Sequence, residues 1–397
     1  MNKFSRTIAA IAAVGICMTA AFPASATFSG NIIQPSAVNV YEDDVPSFTS
    51  DEELLKYVRS QMKQRNEKIT ALVLGKGEDD ESHYSRLVIK DVFNPTDDPS
   101  EGQYLYLGVI QSSAVVKAND KGVLIELSAK YRTTAAQEAE LEQKIKMFKE
   151  LLLSGVDIDD YTTDQKVKKA YDLVVSRMKL SDAAAPAELG SAYSALVKNT
   201  ANEIGYTQLL IRALSELGID SEVYYTNYDT KNNPLMAHYL VLVRMDDVYY
   251  FLDPVYEKKN GTKDTFFLKG YKDLDAALPE NSELKHEHLT FAGITVDGIA
   301  QTEGMAQFSR YAVFTKGDVN GDNIIDSSDA SSILAEYARL SSSDLRGTFS
   351  AGQKKSADID NNNKIDSVDA SRALAYYAYV STTTGEPVPI EEYSKKK

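Results

Sequence analysis

Two stretches near the C-terminal end carry the residue types that hard-cation chemistry requires. From Asp318 the chain reads Asp-Val-Asn-Gly-Asp-Asn-Ile-Ile-Asp-Ser-Ser-Asp, and from Asp358 it reads Asp-Ile-Asp-Asn-Asn-Asn-Lys-Ile-Asp-Ser-Val-Asp. A cation of calcium's size takes about six to eight oxygens, and a twelve-residue loop delivers them from its first, third, fifth, seventh, ninth and twelfth residues. In the first loop these are Asp318, Asn320, Asp322, the Ile324 carbonyl, Asp326 and Asp329; in the second they are Asp358, Asp360, Asn362, the Lys364 carbonyl, Asp366 and Asp369. The sharp turn at the sixth position falls to Asn323 and Asn363, the residue type that best tolerates a left-handed backbone after glycine. An Asp at the twelfth position is shorter than the usual Glu, so the helix that follows must sit close to the ion. One such stretch alone is weak evidence, but two in register, each running through Asp-Ala-Ser into an apolar-faced helix, make a strong signal for two Ca2+ ions.

This duplicated loop-and-helix unit, with Asp at the twelfth position and a lone helix after each loop, resembles the dockerins of cellulosome-type assemblies. The resemblance covers about one sixth of the chain. It implies a small all-α domain that binds the cohesin domain of a scaffold protein when calcium is present. In that family the partner is read just after the ligands, which here means Ser327, Ser328, Ala330 and Ser331 in the first copy and Ser367, Val368, Ala370 and Ser371 in the second. Because Ser328 is replaced by Val368, the two faces are not expected to be interchangeable.

A second constellation lies in the middle of the chain. Ala192-Tyr193-Ser194-Ala195-Leu196-Val197, Gly205-Tyr206, Leu217-Gly218-Ile219, His238-Tyr239 and Tyr249-Tyr250-Phe251-Leu252-Asp253-Pro254 follow one another in an order that resembles transglutaminase-like proteins of papain-like fold. Tyr131 and Thr133, with the helix after them, resemble that family's lead-in region. The resemblance implies a cysteine nucleophile at a helix N-terminus, a histidine that activates it and an aspartate that orients the histidine. Glu203, His238 and Asp253 occupy those positions, so the thiolate chemistry is missing at its first member. Leu240, Val241 and Val255-Tyr256 also depart from the family's pattern. The residues allow plainer roles: Glu203 as a first-turn acid favourable to the helix dipole, His238 as a satisfied core histidine, Asp253 as a turn cap. The favoured expectation is a non-catalytic module that takes a peptide or polysaccharide ligand. The alternative is a hydrolase or metal-dependent enzyme using Glu203, His238 and Asp253.

The elements that would position these residues give an α+β chain. Lys3 and Arg6, an apolar run from Ile8 to Phe22 and Ala24-Ser25-Ala26 read as a secretory signal over residues 1–26, which places the protein outside the cell or in a cell-surface complex. The sole cysteine, Cys17, lies within it, so the exported chain would have neither disulfides nor thiolate sites. With 43 Lys and Arg against 58 Asp and Glu, the chain carries −15, which disfavours nucleic acid and anionic membranes as partners. No membrane span is expected. An α/β region is read over 27–155, the transglutaminase-like domain over 156–300, a linker over 301–316, the dockerin over 317–381 and a mobile polar tail over 382–397. Within them, helices are read at Leu54 to Met62, Thr134 to Leu153, Asp164 to Leu180 and Glu203 to Leu217. Strands are read at Ile69 to Leu74, Tyr104 to Ile110, Val123 to Tyr131, Ser221 to Thr226, His238 to Met245 and Val248 to Leu252, and Glu78 to Ser82 is read as a solvated loop.

Overall fold

The computed structural model describes residues 45–153, 155–182, 186–230, 233–246, 248–277, 295–296, 299–300, 304–342 and 347–396. The expected signal segment lies outside the described residues, as do Ala183, Asp247, His286 and His288. In chain order the elements are β1 (Ser47–Phe48), α1 (Asp51–Lys63), β2 (Lys68–Leu74), α2 (Glu81–Ile89), α3 (Gly102–Gly108), β3 (Val109–Ala118), β4 (Gly122–Tyr131), α4 (Ala135–Leu153) and α5 (Thr163–Arg177). There follow β5 (Lys179–Leu180), α6 (Ala192–Val197), β6 (Thr200–Ala201), α7 (Glu203–Glu216), β7 (Ser221–Thr230), β8 (Asn233–Met245), β9 (Val248–Leu252), α8 (Pro254–Asn260) and α9 (Tyr271–Ala277). The last are β10 (Thr295–Val296), β11 (Ile299–Ala300), α10 (Ser327–Leu340), α11 (Ala351–Ala357), α12 (Ser367–Thr382) and α13 (Ile390–Tyr393). Among the described residues, no helix is long and apolar enough to cross a membrane.

The chain divides into two compact units, Met1–Phe148 with Ser181–Arg212, and Lys149–Leu180 with Ala213–Lys397. In the first, a four-stranded sheet runs in the order β1-β2-β4-β3. Helix α1 starts where the Ser50 side chain accepts from the Glu53 N–H and three acidic residues fill the first turn. It buries Leu54, Val58 and Met62 with Tyr84, Leu87 and Val88 of α2 and with Ile69, Val73, Val123 and Ile125 of the sheet. The expected loop at Glu78 to Ser82 is a short 3-10 turn leading into α2, because the apolar side chains from Tyr84 onward give it a face to bury. The expected strand from Tyr104 is helical up to Gly108. Its carbonyls find donors far along the chain: Arg132 Nε donates to the Leu107 oxygen at 2.8 Å, the Arg132 N–H to the Gly108 oxygen at 3.0 Å, and Gln208 Nε2 to the Tyr104 oxygen at 2.8 Å. Local alternation carries no trace of such donors.

In the second unit, β7, β8 and β9 form an antiparallel sheet, with Leu240, Leu242, Tyr249 and Phe251 packed on Tyr224, Phe266, Leu274 and Met305. The described part of the expected linker, from residue 304, lies along this sheet. Tyr249 donates to the Gly304 oxygen, Ala306 donates to the Tyr249 oxygen, and Met305 and Ala306 are buried. Gly270 permits the approach, since a Cβ there would lie 2.4 Å from the Gln307 carbonyl carbon. Gln307 then donates to the Thr348 oxygen, and the Ala351 N–H reaches the Tyr250 hydroxyl at 3.2 Å, so the C-terminal repeat is tied to the sheet. The expected mobile tail is also packed. Ile390 is buried with Val319, Ile333, Phe349 and Ile359, Tyr393 stacks on Tyr379 at 4.9 Å, and the Tyr376 hydroxyl donates to the Val388 oxygen. Ile390 and Tyr393, packed against Tyr376 and Tyr379 of α12, give this otherwise polar segment enough apolar surface, about 1.5–3 kcal/mol for the isoleucine alone, to hold it down.

Arg310 braces the start of this junction, with Nε 2.5 Å and Nη2 2.9 Å from the two oxygens of Asp164, and Nη1 2.7 Å from Asp246. Burial would raise the Asp164 carboxyl, but the Arg310 guanidinium and the Tyr311 hydroxyl outweigh it and hold the group below the ordinary range. A depressed folded-state value stabilises the fold above the unfolded pKa, about 3.9, and that contribution fades as pH falls through the folded value. Arg310→Gln should therefore cost about 1 kcal/mol at neutral pH, as for a partly exposed pair of good geometry, and the deficit should shrink below about pH 4. Thermal melting over a pH series checks this, and a pH-independent deficit would place the effect in packing.

Candidate functional site

Each acidic loop is closed by its own side chains. In the first, Asp318 accepts from the N–H groups of Gly321 and Asn323, Asn320 Oδ1 from Asp322, and Asp322 from Ile324. The second repeats this with Asp358 accepting from Asn362 and Asn363, Asp360 from Asn362, and Asn362 from Lys364. Asn323 and Asn363 take φ of 65° and 62°, the left-handed turn expected of them. Gly321 and Asn361 are left-handed as well, which the loop pattern alone did not reveal.

The twelfth-position carboxylate also closes the start of its own helix. Asp326 caps α10 by accepting from Ser328, and Asp329 reaches back to accept from the Asp326 N–H at 3.0 Å, a reciprocal box that needs its acid at the third helical position. Asp329 also accepts from Val319, and Asp366 and Asp369 form the same box at α12. Asp329 and Asp369 are fully buried. Burial pushes both carboxyls above the ordinary range, backbone N–H donors pull them down, and the charge of Asp318 or Asp360 adds to the rise. Oxygens of Asp318, Asp322 and Asp329 lie within 4.8 Å of one another, as do those of Asp358, Asp360 and Asp369. This all-oxygen donor set fits a hard divalent cation. Asp326 and Asp366, expected ligands, serve here as helix caps, while Ile324 and Lys364 are exposed and offer backbone carbonyls.

Of the expected partner-reading residues, Ser327, Ser328, Ser331, Ser367, Val368 and Ser371 are exposed. Ala330 and Ala370 are not available to a partner: each is 1 % exposed and sits in the core with Ile333, Ala373 and Tyr376. The spacing explains this, because one residue past the capping acid turns the helix inward. The outward faces instead carry Leu334, Tyr337 and Leu340 on α10 and Leu374, Tyr377 and Val380 on α12, all exposed and all at equivalent positions of the two repeats. The repeat itself was the signal for them, since large apolar side chains recur there off the buried stripe.

His238 and Asp253 come together inside the second unit. His238 Nε2 lies 2.7 Å from Asp253 Oδ2, and the two residues are 3 % and 1 % exposed. Asp253 Oδ1 accepts from the N–H groups of Val255 and Tyr256, capping α8, while Tyr256 packs edge-on to the imidazole at 4.7 Å. Behind the pair, the Tyr171 hydroxyl donates to the Asp253 carbonyl and to Glu257, whose buried carboxylate also accepts from Phe266 and Thr265. The sequence reading did not include Tyr171 or Glu257, and their partners lie too far apart in the chain for a local motif to show.

Glu203 belongs to the first unit and is the first residue of α7, where Asn202 Oδ1 accepts from Ile204 and Gly205. Gly205 has no room for a side chain: a Cβ would stand 2.6 Å from the Leu189 oxygen and 2.9 Å from the Ser191 oxygen. Gln208, one turn on, accepts from the Ala192 N–H at 2.7 Å, so the first turn of α7 is pinned to the start of α6.

Among solved structures, the chain is similar to a transglutaminase and to two candidate proteases. The first is the transglutaminase (10 % identity, TM-score 0.25, 53 % of this chain and 59 % of that one) and the second a candidate cysteine protease from Cytophaga hutchinsonii (12 %, TM-score 0.22, 37 % and 65 %). A candidate protease from Parabacteroides distasonis is a third (16 %, TM-score 0.21, 47 % and 39 %). The chain spans less than two thirds of each of them, and at these scores they carry no argument about the site. No curated protein matches the chain. The family model of the dockerin type I domain matches residues 316–375. With two capped acidic loops in register and a helix after each, the C-terminal repeat of this chain is a dockerin type I domain.

Proposed function

We propose that this protein is a secreted component of a cellulosome-type complex, held on a scaffold cohesin by its calcium-loaded dockerin, and that its middle region is a transglutaminase-like domain without thiol catalysis. The matched acidic loops carry this reading. Two Ca2+ ions would be held by Asp318, Asn320, Asp322, Ile324, Asp326 and Asp329 and by Asp358, Asp360, Asn362, Lys364, Asp366 and Asp369. Calcium relieves the repulsion among carboxylates that burial has already made reluctant to ionise together. The exposed Leu334, Tyr337, Leu374 and Tyr377, with the serines beside them, form the cohesin-facing surfaces. Excess chelator should abolish cohesin binding in a pull-down and lower the melting temperature of the C-terminal repeat. Cohesin binding that survives chelation overturns the assignment.

For the middle region, a buried His238–Asp253 pair with no cysteine in the exported chain supports retention of the pair for structure. Asp253 links the imidazole to the cap of α8, so removing it uncaps a helix and strands a buried ring nitrogen. Asp253→Ala should therefore destabilise the protein by about 2–4 kcal/mol in urea unfolding, whereas Asp253→Asn, which can still accept from Val255 and Tyr256, should cost clearly less. Hydrolysis of peptide or polysaccharide substrates that vanishes in folded His238→Gln and Glu203→Gln variants would replace this reading with the enzymatic one.

A further inference from the structure

The two calcium loops carry the same number of acidic positions but not the same surroundings. In the second, Arg372 Nε lies 3.8 Å from Asp360 Oδ2, one of the three carboxylates gathered there. That Nε is buried without a hydrogen-bond acceptor, and Arg372 is held from behind by Nη1 donating to the Ser394 oxygen of the packed tail at 3.2 Å. Lys316 adds a second cation. Its Nζ donates to the Asp358 carbonyl, to Asn361 Oδ1 at 2.8 Å and to the Lys355 oxygen at 3.2 Å. Lys364 brings a third at the seventh position, where the first loop has Ile324. At the place of Arg372 the first repeat has Ser332, whose hydroxyl donates to the Ser328 carbonyl. Among the described residues, an ion pair reaches a carboxylate of the second loop and none of the first.

We infer that Arg372, supported by Lys316, weakens the second calcium site relative to the first, so that the dockerin loads stepwise. This rests on the calcium reading of the loops given above. A cation beside Asp360 already relieves carboxylate repulsion in the empty loop, so an incoming Ca2+ gains less there and is itself repelled. A unit positive charge beside one of the ligand carboxylates weakens binding of a divalent ion about five- to tenfold in water-like surroundings. Arg372 does not orient Asp360 as a hydrogen-bonding outer partner would, because 3.8 Å is beyond hydrogen-bond range, so its charge outweighs any ordering of the ligand. At limiting calcium the loop that opens α10 fills first, and a partner reading the α10 face engages at lower calcium than one reading the α12 face. Because Arg372 is anchored on the tail and Lys316 on the junction, the weaker site is tied to both ends of the domain.

The test is a calorimetric Ca2+ titration of the full chain, with the two events assigned by Asp329→Asn and Asp369→Asn. Two unequal events are expected, the weaker lost in Asp369→Asn. Arg372→Gln should tighten that event about five- to tenfold and leave the tighter one within about twofold, while Arg372→Lys keeps it weak. The converse change, Ser332→Arg, should weaken the first event, which preserves the test if Arg372→Gln fails to fold. Equal events in the parent chain, or a second event that Arg372→Gln leaves alone or weakens, would overturn the inference. Failure to bind calcium at all would instead overturn the reading of the loops.

Discussion

A carboxylate removed from water must be given donors, and much of the second unit is built around meeting that demand. Asp253, Glu257, Asp329, Glu336 and Asp369 are all buried, and each collects backbone N–H groups, Asp253 from the first turn of α8 and the others from a loop that they thereby close. Glu336 takes Thr348 and Phe349, Glu257 takes Thr265 and Phe266, and Asp329 and Asp369 take the entry of their own loops. The acids thus shape loops before they bind anything. Glu336 stands where the second repeat has Tyr376, so the internal symmetry is broken where the first repeat must hold the connection to α11.

What could be read from the residue order was whatever the chain settles locally. The loop spacing, the left-handed Asn323 and Asn363, the cap of α1 and the strands β8 and β9 each depend on neighbours within a few residues. The His238–Asp253 contact spans a single short hairpin, so the chain brings the two residues together with little loop to order. The helix at Gly102–Gly108, the buried Ala330 and Ala370, and the packed tail escaped because their partners are distant. Arg132 and Gln208 supply donors to a segment whose own pattern reads as a strand, and only the folded chain brings them there.

In the middle of the chain, buried polar groups hold backbone segments in place. Gly205, Asn202 and Gln208 fix the first turn of α7, and Tyr171 and Glu257 support the backbone around Asp253. These groups contribute to packing and capping whether or not a reaction occurs.

The segment after residue 304 does more than join two parts of the chain. By exchanging backbone hydrogen bonds with Tyr249 through Gly304 and Ala306, it covers the start of the outer rim of β9, whose next rim position, Phe251, pairs with Lys269. Exposed rims of this type recruit strands from other molecules. Cutting this segment so that it peels away would uncover the Tyr249 end of that rim, while Lys269 and Phe266 keep the rest of it covered. A small paired segment thus seals one end of a sheet edge that the loop before α9 seals at the other.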